Sequence, residues 1–224
     1  MTPNQVLTYF REMVDEPDVT FFTDTQASLY LDIGYGQFRR AVANIDPLVF
    51  AKTQHYTISS AREINLTSVS PAILGNSVSA GNRMLQLVAL EAVASASDTA
   101  DVVYEFRAVG SPQAMLADRF TYALRGQKIV FGSETSETVR VTYLPEHTIT
   151  WSSASNPVDD LTMFHDLIAL YAYSQYAMRD GADSAPVQRQ IDQRFAEMVE
   201  YVQARNLESA SYVARVGWDD HGWL

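Results

Sequence analysis

Acid–base or metal chemistry in this chain would fall first to its four histidines, His55, His147, His165 and His221. None stands in an H-x-x-H or H-E-x-x-H spacing, so no pair is set one helical turn apart to grip a metal. The densest cluster, Trp218-Asp219-Asp220-His221, puts two carboxylates beside an imidazole. Its segment is too short to preorganise a cation site, and it reads as a solvated or partner-contacting tail. His165 falls on the apolar side of a helical stretch, where an imidazole is a hydrogen-bonded core or interface group rather than a catalyst. Asp159-Asp160 is an acid pair in the opening turn of that stretch, which capping and the helix dipole explain. Gly34-Tyr35-Gly36 lacks the third glycine and the preceding strand of a dinucleotide loop. Neither Lys52 nor Lys128 follows a glycine, as a phosphate-loop lysine must, and no G-x-S-x-G is present. The chain has no cysteine, which excludes a disulfide framework, an iron–sulfur cluster, a thiolate zinc site and a cysteine nucleophile. The expectation is a protein that is not an enzyme and takes no cofactor or metal.

Charge narrows the classes further. Across 224 residues, 27 acids against 16 bases give a formal charge of −11, and only two of the bases are lysines. No basic tract is available to neutralise phosphates, so a sequence-reading nucleic-acid protein is not expected. No stretch approaches the roughly 20 unbroken apolar residues of a membrane span, and Met1 to Asp15 lacks a basic head followed by an apolar run. A soluble chain without a signal peptide is the expectation.

The elements that would position these groups come in three blocks. Thr2, Pro3 and Gln5 form a helix-start signature with a capping box, and Val6, Phe10, Met13 and Val14 share one face until Glu16-Pro17-Asp18 stops the helix. A second capping box at Thr23 to Gln26 opens a helix carrying Ala27, Tyr30 or Leu31, Gly34, Phe38, Ala41, Val42 and Ile45 on one side. Gly34 and Gly36 each cost about 1 kcal/mol relative to alanine in a helix, which points to close approach of another backbone or a local break. Arg39 and Arg40 near its end complement the dipole. From Asp46-Pro47 to about Trp151 the pattern is β-rich, with strands expected at 56–59, 63–66, 84–91, 102–107, 120–125, 127–131 and 139–143. Ile129 and Phe131, then Val139, Val141 and Tyr143, alternate as in two half-buried antiparallel strands. Residues 68–82 read as a long exposed loop, and 87–101 suit either a strand or a short helix.

Helical spacing returns after Asn156-Pro157, with Leu161, Phe164, His165, Ile168, Tyr171, Ala172 and Gln175 on one side and Asp180-Gly181 at the end. Ser184 and Pro186 open a fourth helix with the apolar face Val187, Ile191, Phe195, Met198 and Val202. The last block, 207–224, has no usable period but holds Tyr212, Trp218 and Trp223. Aromatic side chains on a polar terminus suit partner anchoring, and these three are the candidate partner-binding residues.

Two helices, a β-rich segment, two further helices and an extended terminus follow the order found in head-to-tail adaptor (connector) proteins of tailed bacteriophages, which this chain resembles. Phe22-Thr23-Asp24 through Phe38-Arg39-Arg40 is similar to the family's second helix. Gly126 to Phe131 with Val139 to Pro145 looks like its closing β-hairpin, and Asn156-Pro157 to Met178 followed by 185–205 looks like its last helix pair. The family brings no catalytic residues. The resemblance implies a ring of twelve copies beneath the portal protein, presenting a platform for the tail or nozzle, with DNA passing through the channel without sequence-specific binding. It implies a place at the head–tail junction of the virion, and in the host cytoplasm during assembly.

The expected fold is α+β: a discontinuous four-helix bundle domain (1–50 and 152–206), an inserted antiparallel β domain (51–151) and an extended C-terminal tail (207–224). Two other functions compete. One is another neck or tail-completion protein, a stopper or terminator. The other is a carbohydrate-binding or hydrolytic virion protein, with Trp151 and several tyrosines of the β region lining a sugar site, although no acid pair has a defensible geometry for hydrolysis.

Overall fold

The computed structural model describes residues 1–15, 22–110 and 118–216, without the side chains of Ala80 and 206–216. The chain forms two compact units, one from Met1–Asp46 with Ile149–Leu224, the other from Pro47–Thr148.

The first unit holds helices α1 (Pro3–Val14), α2 (Asp24–Ile45), α3 (Asp166–Asp180) and α4 (Ala185–Val216). Both expected capping boxes form. Thr2 Oγ1 accepts from the Gln5 amide while the Gln5 side chain accepts from Thr2 N, and Thr23 and Gln26 repeat the exchange. Asp15 ends α1 in the left-handed conformation, and the stop at Glu16-Pro17-Asp18 lies outside the described residues. Gly34 explains itself at the α2–α3 crossing: a Cβ there would stand 2.5 Å from the Ile168 carbonyl oxygen and 2.8 Å from the Ala172 nitrogen. Only glycine lets the two backbones approach so closely.

The β unit contains two four-stranded sheets. Its strands are β1 (Lys52–Thr57), β2 (Ala61–Asn65), β3 (Met84–Val93), β4 (Val102–Glu105), β5 (Arg107–Ala108), β6 (Thr121–Arg125), β7 (Lys128–Thr135) and β8 (Thr138–Pro145). The sheets have the orders β1-β8-β3-β4 and β2-β7-β6-β5. One bent ribbon and one single-strand crossing join them. The pair β1–β8 runs through a corner into the pair β2–β7, where Ile58 N donates to Glu137 O (2.8 Å) and Ser60 N to Ser136 Oγ (3.0 Å). On the other side the chain changes sheets at one residue: Phe106 N donates to Leu90 of β3, and Arg107 N to Phe120, which precedes β6. One core fills the interior, with Leu90, Val139, Val141 and Tyr143 from the first sheet meeting Ile64, Ile129 and Phe131 from the second.

The expected discontinuous four-helix bundle with an inserted antiparallel β domain is overturned; the molecule is an α+β fold of four helices and two four-stranded sheets among the described residues. The helices do not share a core as equal corners. Residues 167–170 of α3 are buried in succession, and α3 packs on α1, α2 and α4. A helix buried all round is a central element, not one side of a bundle. The β region is not purely antiparallel either, because β5 pairs with β6 in parallel. Nor is 207–224 an extended tail throughout: α4 runs on to Val216.

Smaller corrections follow from the same packing. β7 and β8 are not a hairpin, since each pairs with different strands in a different sheet. They are one bent strand, and their alternation arises because both halves face the common core. β8 is also more than half-buried: Val141 through Pro145 are buried in succession, because β8 lies inside its sheet. Residues 68–82 are not simply exposed. Ile73 N donates to Leu66 O and Ile73 O accepts from Met84 N, which buries Ile73 in the core beside Leu66. The ambiguous stretch 87–101 begins as β3. Pro157 starts no helix: Asn156 takes φ +55°, and an isolated 3-10 turn (Thr162–Phe164) precedes α3. On α4, Val187, Ile191, Met198 and Val202 are buried as expected, whereas Phe195 is only half-buried.

Candidate functional site: a buried polar cluster and two exposed apolar faces

The face of α2 that carries Leu31, Phe38 and Val42 into the core also carries Tyr35 and Arg39. Across from them, the irregular segment between Ile149 and α3 brings in Trp151, Asp159 and His165. Trp151 Nε1 donates to Asp32 Oδ1 at 2.8 Å, and its ring meets Tyr35 edge-on with centroids 6.2 Å apart. The Arg39 guanidinium lies 5.8 Å from the centre of the Tyr35 ring. Asp159 Oδ1 accepts from Leu161 N and pairs with His165 Nε2, both at 2.8 Å. His165 Nδ1 stands 2.9 Å from the Met1 amine and 2.9 Å from the Met1 carbonyl oxygen. A neutral imidazole with its proton on Nε2 donates to Asp159 and accepts from the amine, which satisfies both nitrogens.

Burial governs the electrostatics. It pushes the Tyr35 hydroxyl well above its ordinary value, helped by the Asp159 carboxylate and opposed by Arg39. It draws Arg39 down from its ordinary value, against the pull of Tyr35 and Asp159. Together these hold a protonated phenol, a cation and a carboxylate in one desolvated network, where each group is costly without the others.

An aspartate–imidazole pair is the orienting half of acyl-transfer machinery. Here the second imidazole nitrogen is taken by Met1, His165 is fully buried, and no hydroxyl nucleophile contacts the ring among the described residues. The arrangement fastens the first residue and the 151–165 segment onto α2 and α3. It is a structural lock. His165 is thus a hydrogen-bonded core group, and Asp159 bonds the Leu161 amide in an irregular turn rather than in the first turn of a helix. Trp151 is buried in the helical unit, so the β-region sugar site expected to include it does not form. Sequence reading set Arg39 beside Arg40 as a dipole partner, yet Arg39 is buried and only Arg40 is exposed. The spacing Tyr35, Arg39, Val42 places the arginine on the apolar face, and that was the available signal.

Among the remaining candidates, His55 lies in β1 with Nε2 3.8 Å from Asp98, whose carboxylate also accepts from Thr53 Oγ1 at 2.7 Å. Arg140, across from His55 in β8, pairs with Glu91 at 2.7 Å. Lys52 donates to Gly81 O and Asn82 Oδ1, and Lys128 pairs with Glu63. No three metal-ligating side chains converge among the described residues. Tyr212 belongs to α4, but its side chain lies outside the described residues, as do Trp218, Trp223 and the Trp218-Asp219-Asp220-His221 cluster. No helix among the described residues is long and apolar enough to cross a membrane.

The helical unit also exposes apolar side chains. Leu29 and Ile33, one turn apart on α2, are exposed, and so are Met163 on the 3-10 turn and Tyr201 on α4. Sequence reading missed all four, because helical periodicity identifies the buried stripe and is silent about apolar residues off it. No family model matches the chain, and no curated protein is significantly similar to it in sequence.

Proposed function

We propose that the chain is a structural protein of a tailed-phage virion, the head-to-tail adaptor, twelve copies of which form a ring beneath the portal protein, join capsid to tail and surround the DNA channel. One observation carries the reading. The helical unit buries Arg39 and His165 in a lock and leaves Leu29, Ile33, Met163, Met178 and Tyr201 exposed. Exposed apolar patches on an otherwise charged surface are explained by neighbours. Although the closing hairpin and the fully extended terminus of that resemblance do not form, the order of two helices, a β-rich segment and two further helices, in which the chain resembles the adaptor family, supports the same reading. So does the charge of −11: a channel wall rich in carboxylates makes few phosphate contacts, and a duplex slides along it.

On this reading the partners are the portal on one side, the tail or nozzle on the other, and further copies of the chain around the ring. Tyr212, Trp218 and Trp223 are the anchors to the portal or to a neighbour. The protein resides at the head–tail junction of the virion and in the host cytoplasm during assembly. The test is to mix the purified protein with its portal and measure native mass and negative-stain images. A twelve-fold ring on the portal is expected; a mixture that stays monomeric at high concentration overturns the proposal.

A further inference from the structure

The connection between β2 and β3 closes a cleft of about 270 Å³ against β1 and β8. Gln54 of β1 and Tyr143 of β8 line it from the sheet, and Ile73, Ser77 and Val78 line it from the connection. Strand register brings the two sheet residues together. Lys52 pairs with Tyr143 and Gln54 with Val141, so Gln54 stands on the core-facing side of the sheet beside Val141 and Tyr143. The exposed Ser77 marks the opening to solvent.

Tyr143 is fully buried, yet its hydroxyl has no hydrogen-bond partner. The nearby Tyr56 hydroxyl does not supply one, since it donates to the carbonyl of Pro71, another residue lining the cleft, at 2.8 Å. A buried hydroxyl without a partner lowers stability, so its place at the back of a cleft calls for a bound group. Burial raises the Tyr143 phenol above its ordinary value, which keeps the proton available for donation. Two more polar groups around the cleft are free: the Gln54 amide and the Ser77 hydroxyl make no side-chain hydrogen bond among the described residues. Asn82, by contrast, is spent on Ser79 Oγ and Lys52.

The chemistry of the lining narrows the ligand. No charged side chain lines the cleft, and Pro71, Ile73 and Val78 make one wall apolar. Neutral amide and hydroxyl groups opposite an apolar wall suit a molecule with hydroxyls at its edge and C–H groups on its face. We propose that this cleft binds one neutral sugar unit, whose hydroxyls pair with Tyr143, Gln54 and Ser77 while a C–H face lies on Ile73 and Val78. The site lies wholly within the β unit, is separate from the buried Trp151, and does not depend on the adaptor reading.

The experiment titrates isotope-labelled full-length protein with D-glucose, D-galactose and N-acetyl-D-glucosamine, and separately with inorganic phosphate. At least one sugar should shift the Ile73 and Val78 methyl signals and the Gln54 side-chain amide saturably, and phosphate should not. Tyr143→Phe should weaken that binding by about fivefold or more, with the melting temperature at neutral pH unchanged or higher, because the deleted hydroxyl has no partner to lose. Gln54→Ala should weaken it by a similar factor. No saturable shift with any of the sugars overturns the proposal, and so does binding that survives intact in Tyr143→Phe. A response to phosphate alone overturns the neutral ligand class. A lower melting temperature for Tyr143→Phe without any sugar response assigns the hydroxyl to a bound water and overturns the site.

Discussion

Each unit is organised around one hub, and the two hubs are built by different forces. In the helical unit the hub is α3, which touches the other three helices through side chains and, at Gly34, through backbone contact. In the β unit it is the bent strand β7–β8, which hydrogen-bonds β2 and β6 in one sheet and β1 and β3 in the other. A helix satisfies its own backbone and is placed by packing alone. A strand has no satisfied backbone until partners distant in sequence arrive. The starts of α1 and α2 are therefore readable locally, whereas strand partners, the start of α3 and the end of α4 are not.

The sharpest way to break this comparison is to empty each hub. Phe131, fully buried in β7 and packed 5.0 Å from Phe106, joins the two sheets, so Phe131→Ala should cost roughly 3–5 kcal/mol. Urea unfolding followed by circular dichroism measures it, and a loss below about 1 kcal/mol would mean that the sheets do not depend on a common core. Gly34→Ala tests the helical hub by overfilling it. With the new methyl against backbone, α2 and α3 must separate, at a cost of about 2–3 kcal/mol. Gly126→Ala is the control: φ is +58° but nothing lies within 4 Å of the added carbon, so only about 1 kcal/mol of backbone strain is expected. Equal effects at the two glycines would deny that the α2–α3 crossing is sterically set.

Asp159→Asn keeps the shape of the lock and removes its charge. It should cost about 1–3 kcal/mol and loosen the 151–165 segment, which amide exchange at Leu161 would report. The smallest effect is alkaline. Tyr35 in one unit and Tyr143 in the other are both held above the ordinary 10.0 by burial. Their folded forms keep protons that the unfolded chain releases above about pH 10, so the stability they supply is complete below that pH and declines as pH rises further. Tyr35→Phe and Tyr143→Phe should each flatten the decline, read as unfolding midpoint against pH alongside tyrosinate absorbance. A wild-type midpoint that does not fall above pH 10 would mean that these phenols ionise as freely in the folded state as in the unfolded one.

The sequence by itself determined the local events. Thr2-Pro3-x-x and Thr23-x-x-Gln26 set two helix starts, because caps need only neighbours within four residues. Gly34 announced a close approach, because a glycine in mid-helix is otherwise a loss. Each expected strand overlaps an observed one, but β1 begins at Lys52 rather than Tyr56, and the expected 102–107 is divided between β4 and β5 in different sheets. Tertiary structure alone decided the rest. Whether Thr135 to Thr138 turns back as a hairpin or bends onward into a second sheet depends on Thr57 and Ala61, more than 70 residues earlier, offering pairing partners on either side of the corner. Whether Pro157 starts a helix depends on Asp159 finding His165 and a turn amide instead of a first-turn dipole. Arg39 is buried because Tyr35 and Asp159 make a desolvated cation tolerable, a sum of contacts from two distant segments. Periodicity records which side of an element is apolar, and the choice of what covers that side belongs to contacts the local sequence does not contain.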